Sequence, residues 1–438
     1  MRWVRLGALP AFIVLYATMY AAFGAASPFW PRFFETRGLT PAQLGLLLGL
    51  GTLVRLVAGP LVGRAADMTG ALRIALAICA ACAAAIALVL LTTKEFGLLV
   101  LIHIAQAAAL APTTTLADAL AVNAAMRAPA NRFEYGWVRG AASAAFIAGT
   151  LVAGQIVSAT DLSPIVWMHA GLLACAVLAT ALVPGLALKS PPAAKDSAAR
   201  AHPGKADCAG PSHSGATASA ASEEGTASAA PGAVASTARR SATLSAFGGV
   251  RELFGIALFR RTVLVAALIS GSHAMHDTFA VIRWNAAGIG SEPISLLWSA
   301  SVAAEVVVFF WIGPSLIHRF GPSGAAAIAA VAGTIRWIVM SQTAAIAVLA
   351  LVQPLHGFTF ALLHLACMRL IAVVVSPRLA ATAQALYAFG VGGATALTML
   401  LSGPLYEQFG AQAFLLMSLL CVVAFPLTFR LRSAPSCN

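Results

Sequence analysis

The chain has 438 residues, of which 60% are hydrophobic and only 10% charged, and its formal net charge is +12. A mean hydropathy of +0.87 excludes an ordinary soluble domain and calls for a lipid environment. The excess of basic residues would suit nucleic acid if it formed one patch, but it is scattered over the termini, one long gap and alternate short connections.

A bilayer crossing takes about 20 mostly apolar residues, and such runs recur along the whole chain. The predicted spans are 8–31, 41–63, 71–92, 96–123, 133–158 and 163–184, then 261–284, 293–317, 322–342, 344–374, 378–405 and 411–431. The first run follows Arg2 and Arg5 as a signal peptide would, but it is too long for one and is read as a membrane helix. The expected fold is an all-α membrane protein of twelve transmembrane helices in two pseudo-symmetric six-helix halves.

Residues 185–246 are rich in Ala, Ser, Gly and Pro and poor in large apolar side chains, which predicts a disordered cytoplasmic linker. It would separate an N-terminal half, 1–184, from a C-terminal half, 247–438. Arg64, Arg73, Arg127, Arg132, Arg319 and Arg378 lie on the linker's side of the membrane, and little beyond Arg32, Arg37 and Lys94 lies opposite. This asymmetry puts both termini in the cytoplasm of a bacterial inner membrane. The seven cysteines make no disulfide framework. Cys79 and Cys82 share a Cys-Ala-Ala-Cys spacing inside an apolar run, and are read as small fillers.

The two halves resemble each other. A shift of 250 residues lays AQLGLLLGLGTLVRL (42–56) on EPISLLWSASVAAEV (292–306), so that Arg55 falls on Glu305. In such repeat architectures a polar site sits at the midplane between the halves. The connection GRAADMTGALR (63–73) resembles the loop signature of the major facilitator superfamily, with Gly63, Asp67, Gly70 and Arg73 in place and Met68 departing from the usual basic residue. Asp67 there is expected to latch one conformation by pairing with a helix N-terminus or an arginine.

Ionisable residues inside the spans carry the functional argument, because a charge at the bilayer centre costs at least about 2.5–3.5 kcal/mol. Glu305 lies fourteen residues before Arg319, and Arg336 lies fifteen after Gly321. At about 1.5 Å per residue both sit about 21–23 Å from the turn they share, at one depth. Asp118 and Arg139 flank another cytoplasmic connection in the same way. A buried carboxylate with an adjustable basic partner suits proton carriage, since burial and a nearby cation act on its proton affinity in opposite senses. His356 and His364, about 80° apart on one helix, are candidate proton-coupling partners of Glu305. On the seventh predicted helix His273, His276 and Asp277 share a face with Arg283. That spacing could hold a metal, but no further ligands cluster in the sequence, so a polar cavity wall is the better reading.

Seven segments taken together resemble the phenylpropionate permease family of the major facilitator superfamily: GLTPAQLGLLLGLGTLVRLVAG (38–59), LADALA (116–121), YGWVRGAAS (135–143), GIGSEPISLLWSASVAAEVVVF (288–309), IRWIVM (335–340), LHGFTFALLHLACMRLIA (355–372) and QALYAFGVGG (384–393). The resemblance implies a twelve-helix inner-membrane permease that uses a proton gradient to import a small organic acid; beside it, a monomer and no cofactor other than the coupling proton are expected. The resemblance also implies proton coupling by Glu305, His356 and His364, and substrate binding by Arg139, Arg336, His273 and Gln384; His276, Asp277 and Trp284 are expected to bind substrate as the polar and stacking wall of the cavity. Charge pairing or gating would fall to Arg55, Asp67, Arg73 and Asp118. His276, Asp277 and Arg283 depart from the aromatic residues the family often has there, which unsettles an aromatic acid as substrate. The alternatives are an exporter of drugs or metabolites, or an importer of a neutral sugar or nucleoside. Proton antiporters of the superfamily have a Gly-Pro-rich fifth helix, whereas AASAAFIAGTLVAGQI (141–156) has no proline. No enzyme motif stands out, and no soluble domain of any size.

Overall fold

A computed structural model describes residues 7–127, 133–157, 161–183 and 248–431. The predicted linker, 185–246, lies outside the described residues. Those described are helical throughout, without a β-strand.

The helices in chain order are α1 (Ala8–Ala26), the short α2 (Trp30–Glu35), α3 (Pro41–Thr69), α4 (Leu72–Val89), α5 (Phe96–Leu110), α6 (Thr113–Arg127), α7 (Tyr135–Ile156) and α8 (Ser163–Leu182). After the gap come α9 (Ala257–Gly271), α10 (Ala274–Ala286), α11 (Ser291–Val307), α12 (Gly313–Gln342), α13 (Ile346–Val352), α14 (Leu363–Val374), α15 (Ala380–Phe409) and α16 (Ala413–Phe429). Among the described residues nine helices are long and apolar enough to cross a bilayer, or ten if the bent pair Gly248–Gly255 and Ala257–Ala286 is one span. Two of the nine, Ser291–Gln342 and Pro377–Phe429, have 52 and 53 residues, more than twice what one crossing takes. Each is broken at a glycine of positive φ, Gly321 at 68° and Gly410 at 54°.

Local chemistry sets the helix ends. Thr40 caps α3 in a reciprocal pair with Gln43, Pro41 takes the first turn, and Gly70 ends the helix with φ 66°. Glu95 accepts from the amides of Gly97 and Leu98 to start α5. Gly38 and Gly288, 250 residues apart, hold φ of 88° and 84° at matching turns before α3 and α11.

Small residues let helices touch backbone to backbone, as membrane packing favours. A Cβ on Gly149 of α7 would lie 2.3 Å from the Ala21 carbonyl oxygen of α1. Thr150 beside it donates to the Gly24 carbonyl at 2.8 Å. The outer surface carries exposed Leu178, Leu351, Val373, Trp137 and Trp311, an apolar face suited to lipid rather than water.

Two cross-contacts join helices of the first 183 residues to helices after 248. At one end of α3, a Cβ on Gly403 of α15 would lie 2.4 Å from the Pro41 carbonyl oxygen, and one on Gly45 would lie 2.8 Å from the Gly403 nitrogen. At the corresponding end of α7, a Cβ on Gly154 would lie 2.3 Å from the Ser295 hydroxyl of α11. Gly63 and Gly136 lie eighteen residues from Gly45 and Gly154 on the same helices, which is about five turns and therefore the same face. Neither has a neighbour within 4 Å of its Cβ position. Both interfaces are thus tight at the Gly45 and Gly154 ends, and the glycines on the same faces at the other ends make no close contact.

Candidate functional site

The span from Ile346 to Val374 is not one regular helix. Pro354 lacks an N–H, a 3₁₀ turn occupies Gln353–Leu355, and a π turn occupies Phe358–Leu362. A second π turn, Val308–Ile312, follows α11 directly after Glu305. Gly357 brings the two segments together, for a Cβ there would lie 2.7 Å from the Ala304 carbonyl oxygen. The result sets Glu305 against His356.

Glu305 and Arg336, expected to pair directly, are joined through the imidazole of His356. The Nε2 of His356 lies 2.8 Å from Glu305 Oε1, and its Nδ1 lies 2.9 Å from Arg336 Nη1. A guanidinium only donates, so Nδ1 accepts and the ring is neutral with its proton on Nε2. Nε2–H therefore donates to the carboxylate. Arg336 is fully buried. Its Nε and Nη2 donate to Gln353 Oε1 at 3.2 and 2.7 Å, and its plane lies over Trp337 with 4.6 Å to the ring centroid.

A second chain leaves Arg336 through Gln353. With its oxygen taken by the guanidinium, the amide NH₂ of Gln353 donates to His276 Nε2 at 3.3 Å. His276 then carries its proton on Nδ1 and donates to Asp277 Oδ1 at 3.2 Å. Trp298 stacks on the His276 ring at 4.9 Å. One arginine thereby fixes the tautomers of two histidines, each presented to a carboxylate.

Asp277 opens onto a cavity of about 460 Å³. Its wall joins α1, α2, α3, α5, α7 and α8 to Asp277 of α10 and Met399 of α15, with Phe23, Trp30 and Phe146 as aromatic surface. Arg55 projects into it with no hydrogen-bond or ion-pair partner among the described residues. His103, Gln106 and His169 add polar groups to the wall. His169 Nδ1 sits 2.8 Å from the Ala22 carbonyl, so it holds the proton and Nε2 accepts from the Gln106 amide at 3.2 Å.

The other predicted residues are dispersed. His273 is buried, lies with its ring tilted against that of His356 at 4.8 Å between centroids, and leaves Nε2 unpartnered among the described residues. Trp284 is buried edge-on against His276, behind the cavity wall. His364 is exposed beside Tyr387, and Gln384 is exposed on α15. Arg139 donates to Tyr20 at 2.6 Å and lies 3.7 Å from Asp118. Asp118 in turn accepts from Tyr16 and Tyr135 at 2.5 and 2.6 Å. Arg73 donates to the Val183 carbonyl at 3.2 Å. The Asp67 side chain is exposed and makes no hydrogen bond or ion pair among the described residues, while its carbonyl accepts from the Gly70 amide. Arg283 turns from Asp277 toward the Ser341 carbonyl, 3.4 Å away.

Sequence reasoning passed over Gln353, Gln106 and His169. Gln353 was findable as an amide one turn before His356 in a greasy run, and His169 as a further imidazole within a span.

An all-helical membrane fold with an internal cavity and charged relays buried beside it is that of a membrane transporter, not an enzyme. The chain matches the MFS_1-like family over residues 11–417 and belongs to it. It is 29% identical over 440 residues to the probable 3-phenylpropionic acid transporter of Escherichia coli (strain K12), covering 100% of this chain and 98% of that one. In fold it resembles the nucleoside transporter NupG, with a TM-score of 0.76, 16% identity and coverage of 97% and 99% of the two chains. A bacterial homologue of the human lysosomal transporter Spinster, in an inward-facing and unoccupied conformation, gives a TM-score of 0.67 at 14% identity, with 98% of each chain covered.

Proposed function

We propose that the protein is a proton symporter of the bacterial inner membrane that imports a small organic acid, a phenylpropionate-like aromatic carboxylate, by alternating access. The observation that carries this reading is the Glu305–His356–Arg336 unit, built on a fully buried arginine, beside a cavity whose cation, Arg55, has no hydrogen-bond or ion-pair partner among the described residues. The name of the Escherichia coli relative supports the substrate class. Twelve crossings follow if each of the two broken spans of 52 and 53 residues counts twice and the bent pair counts once. The matched turns at Gly38 and Gly288 support two related halves joined by the 185–246 segment, and a monomer suffices for the proposed cycle.

The Gly63 and Gly136 ends of α3 and α7 are on the side of Arg64 and Arg73, the cytoplasmic side by the basic-loop rule. The conformer is then open inward, and the unpaired Asp67 belongs to that state. In the outward-open state Glu305 takes a proton and no longer offers a charged acceptor to His356 Nε2–H. The substrate carboxylate pairs with Arg55, the halves rock, and the ends at Gly45 and Gly154 shut. Proton release inward restores the Glu305–His356 bond.

Uptake of 3-phenylpropionate by intact cells tests this. Accumulation should collapse with an uncoupler and in Glu305→Gln. Undiminished accumulation in that variant would refute the role of Glu305. Net extrusion into everted vesicles would favour an exporter, and uptake of nucleosides or sugars alone would favour a neutral-solute importer.

A further inference from the structure

Asp277 is out of place in a cavity meant only for anions. Its side chain is 42% exposed, and it is the single carboxylate in the cavity wall among the described residues. An ionised carboxylate there repels the carboxylate of a substrate, so its presence demands a return. It is also not neutralised locally. Arg283 turns to the Ser341 carbonyl, and Arg336 is engaged by Gln353 and His356. Arg55 shares the cavity without forming an ion pair with it.

Asp277 is nonetheless held firmly. Oδ1 accepts from His276, a side chain 3% exposed whose tautomer is set by Gln353 and through it by Arg336. Oδ2 has no hydrogen-bond partner among the described residues. A carboxylate oriented from behind, with one oxygen uncommitted and facing a cavity, is a receptor for a donor. A second acceptor lies in the same wall. The Gln106 amide nitrogen is committed to His169, which leaves its Oε1 buried without a partner. The rings of Phe23, Trp30 and Phe146 line the same cavity as these acceptors and Arg55.

We propose that the substrate is amphoteric: an aromatic acid whose carboxylate pairs with Arg55 and whose opposite end carries a hydrogen-bond donor, an ammonium or hydroxyl group, received by Asp277. This rests on the organic-acid reading above and narrows it. Asp277 is then the specificity residue. Because it ends the chain His276–Gln353–Arg336–His356–Glu305, occupation of Asp277 is felt at the proton site without the substrate touching Arg336.

The test is binding to the purified full-length protein in lipid nanodiscs with three probes of equal acid chain: 3-phenylpropionate, 3-(4-hydroxyphenyl)propionate and 3-[4-(aminomethyl)phenyl]propionate. Wild-type protein should prefer one or both donor-bearing probes by about tenfold or more, since a site built to bond a donor rejects the analogue lacking it. The hydroxyl and ammonium arms tell which donor is meant. In Asp277→Asn the preference for the ammonium probe should fall toward unity. Equal or tighter wild-type binding of the unsubstituted acid overturns the proposal while leaving the organic-acid reading standing. Binding of none of the three overturns both. The wild-type comparison decides even if the variant misfolds.

Discussion

The tight ends of α3 and α7 yield a prediction whose size can be worked out. In Gly403→Ala one methyl group is added where its carbon would lie 2.4 Å from the Pro41 carbonyl oxygen and 2.8 Å from the Ala42 Cα. Both obstacles are backbone atoms, so no side-chain rotation relieves the clash and α15 must move off α3. Overpacking of this kind costs about 1–3 kcal/mol. The cost falls on the conformer in which these ends meet and is absent from the one in which they part. The equilibrium between the two therefore shifts by about 5–150-fold toward the conformer open at Gly403. The assay is modification of Thr52→Cys, in the cavity wall, by a membrane-impermeant maleimide added to intact cells, with the native cysteines replaced. The rate should rise in Gly403→Ala within that range, up to full occupancy of the new state. Gly63→Ala is the control, on the same face of α3 as Gly45 but with nothing within 4 Å of its Cβ position. Equal labelling of the two variants at equal protein levels would refute the idea that this glycine contact is the closed gate.

His356→Leu removes the link between Glu305 and Arg336. Substrate-driven proton entry into proteoliposomes should fall about 100-fold or more, and an unchanged proton signal would count against the relay. Gln353→Leu strips the buried guanidinium of two hydrogen bonds. Breaking such a buried partnership costs about 3–5 kcal/mol, so the melting temperature in detergent should drop by several degrees, with no drop meaning that Arg336 finds other acceptors. Arg55→Gln removes the unpaired cation of the cavity. A charge-assisted hydrogen bond contributes about 1.5–3 kcal/mol, so the Kd for 3-phenylpropionate should rise about 10–150-fold by quenching of tryptophan fluorescence, and an unaltered Kd would move the anion site elsewhere.

The membrane helices were legible because each needs only a long apolar run, whatever it packs against. Depth was legible too. The constant helical rise put Glu305 and Arg336 at one level, and His356 lies between them. The contact itself was hidden by local irregularity. The 3₁₀ turn at Gln353–Leu355 and the π turn at Phe358–Leu362 rotate everything after Val352 off a regular helical wheel. A wheel that places His356 and His364 about 80° apart therefore does not describe a segment in which the first is half enclosed and the second exposed. Gln353 escaped notice because a neutral amide draws no attention in a search for charge, although its carbonyl oxygen accepts from the arginine while its NH₂ donates to His276. Arg55 was noticed for its repeat relation to Glu305, while its role in the cavity depends on which neighbours leave it unpaired, and that is a property of three-dimensional packing.

The burial of Arg336 decides where a substrate anion can bind. A guanidinium has five N–H donors, and here Nε, Nη1 and Nη2 each hold a protein acceptor while Trp337 covers the plane. Because Arg336 is fully buried, a substrate carboxylate reaching its remaining N–H groups would have to open the packing of Gln353 or His356 around it, which disturbs the bonds to His276 or Glu305. Either opening trades bonds already made in a dry site for new ones. Arg55 demands no such exchange, because it faces the cavity with its donors uncommitted. Under the proposed function, separate arginines for the anion and for the proton let the substrate bind without first breaking the Glu305–His356–Arg336 bonds. Communication between the cavity and Arg336 then runs through Asp277, His276 and Gln353.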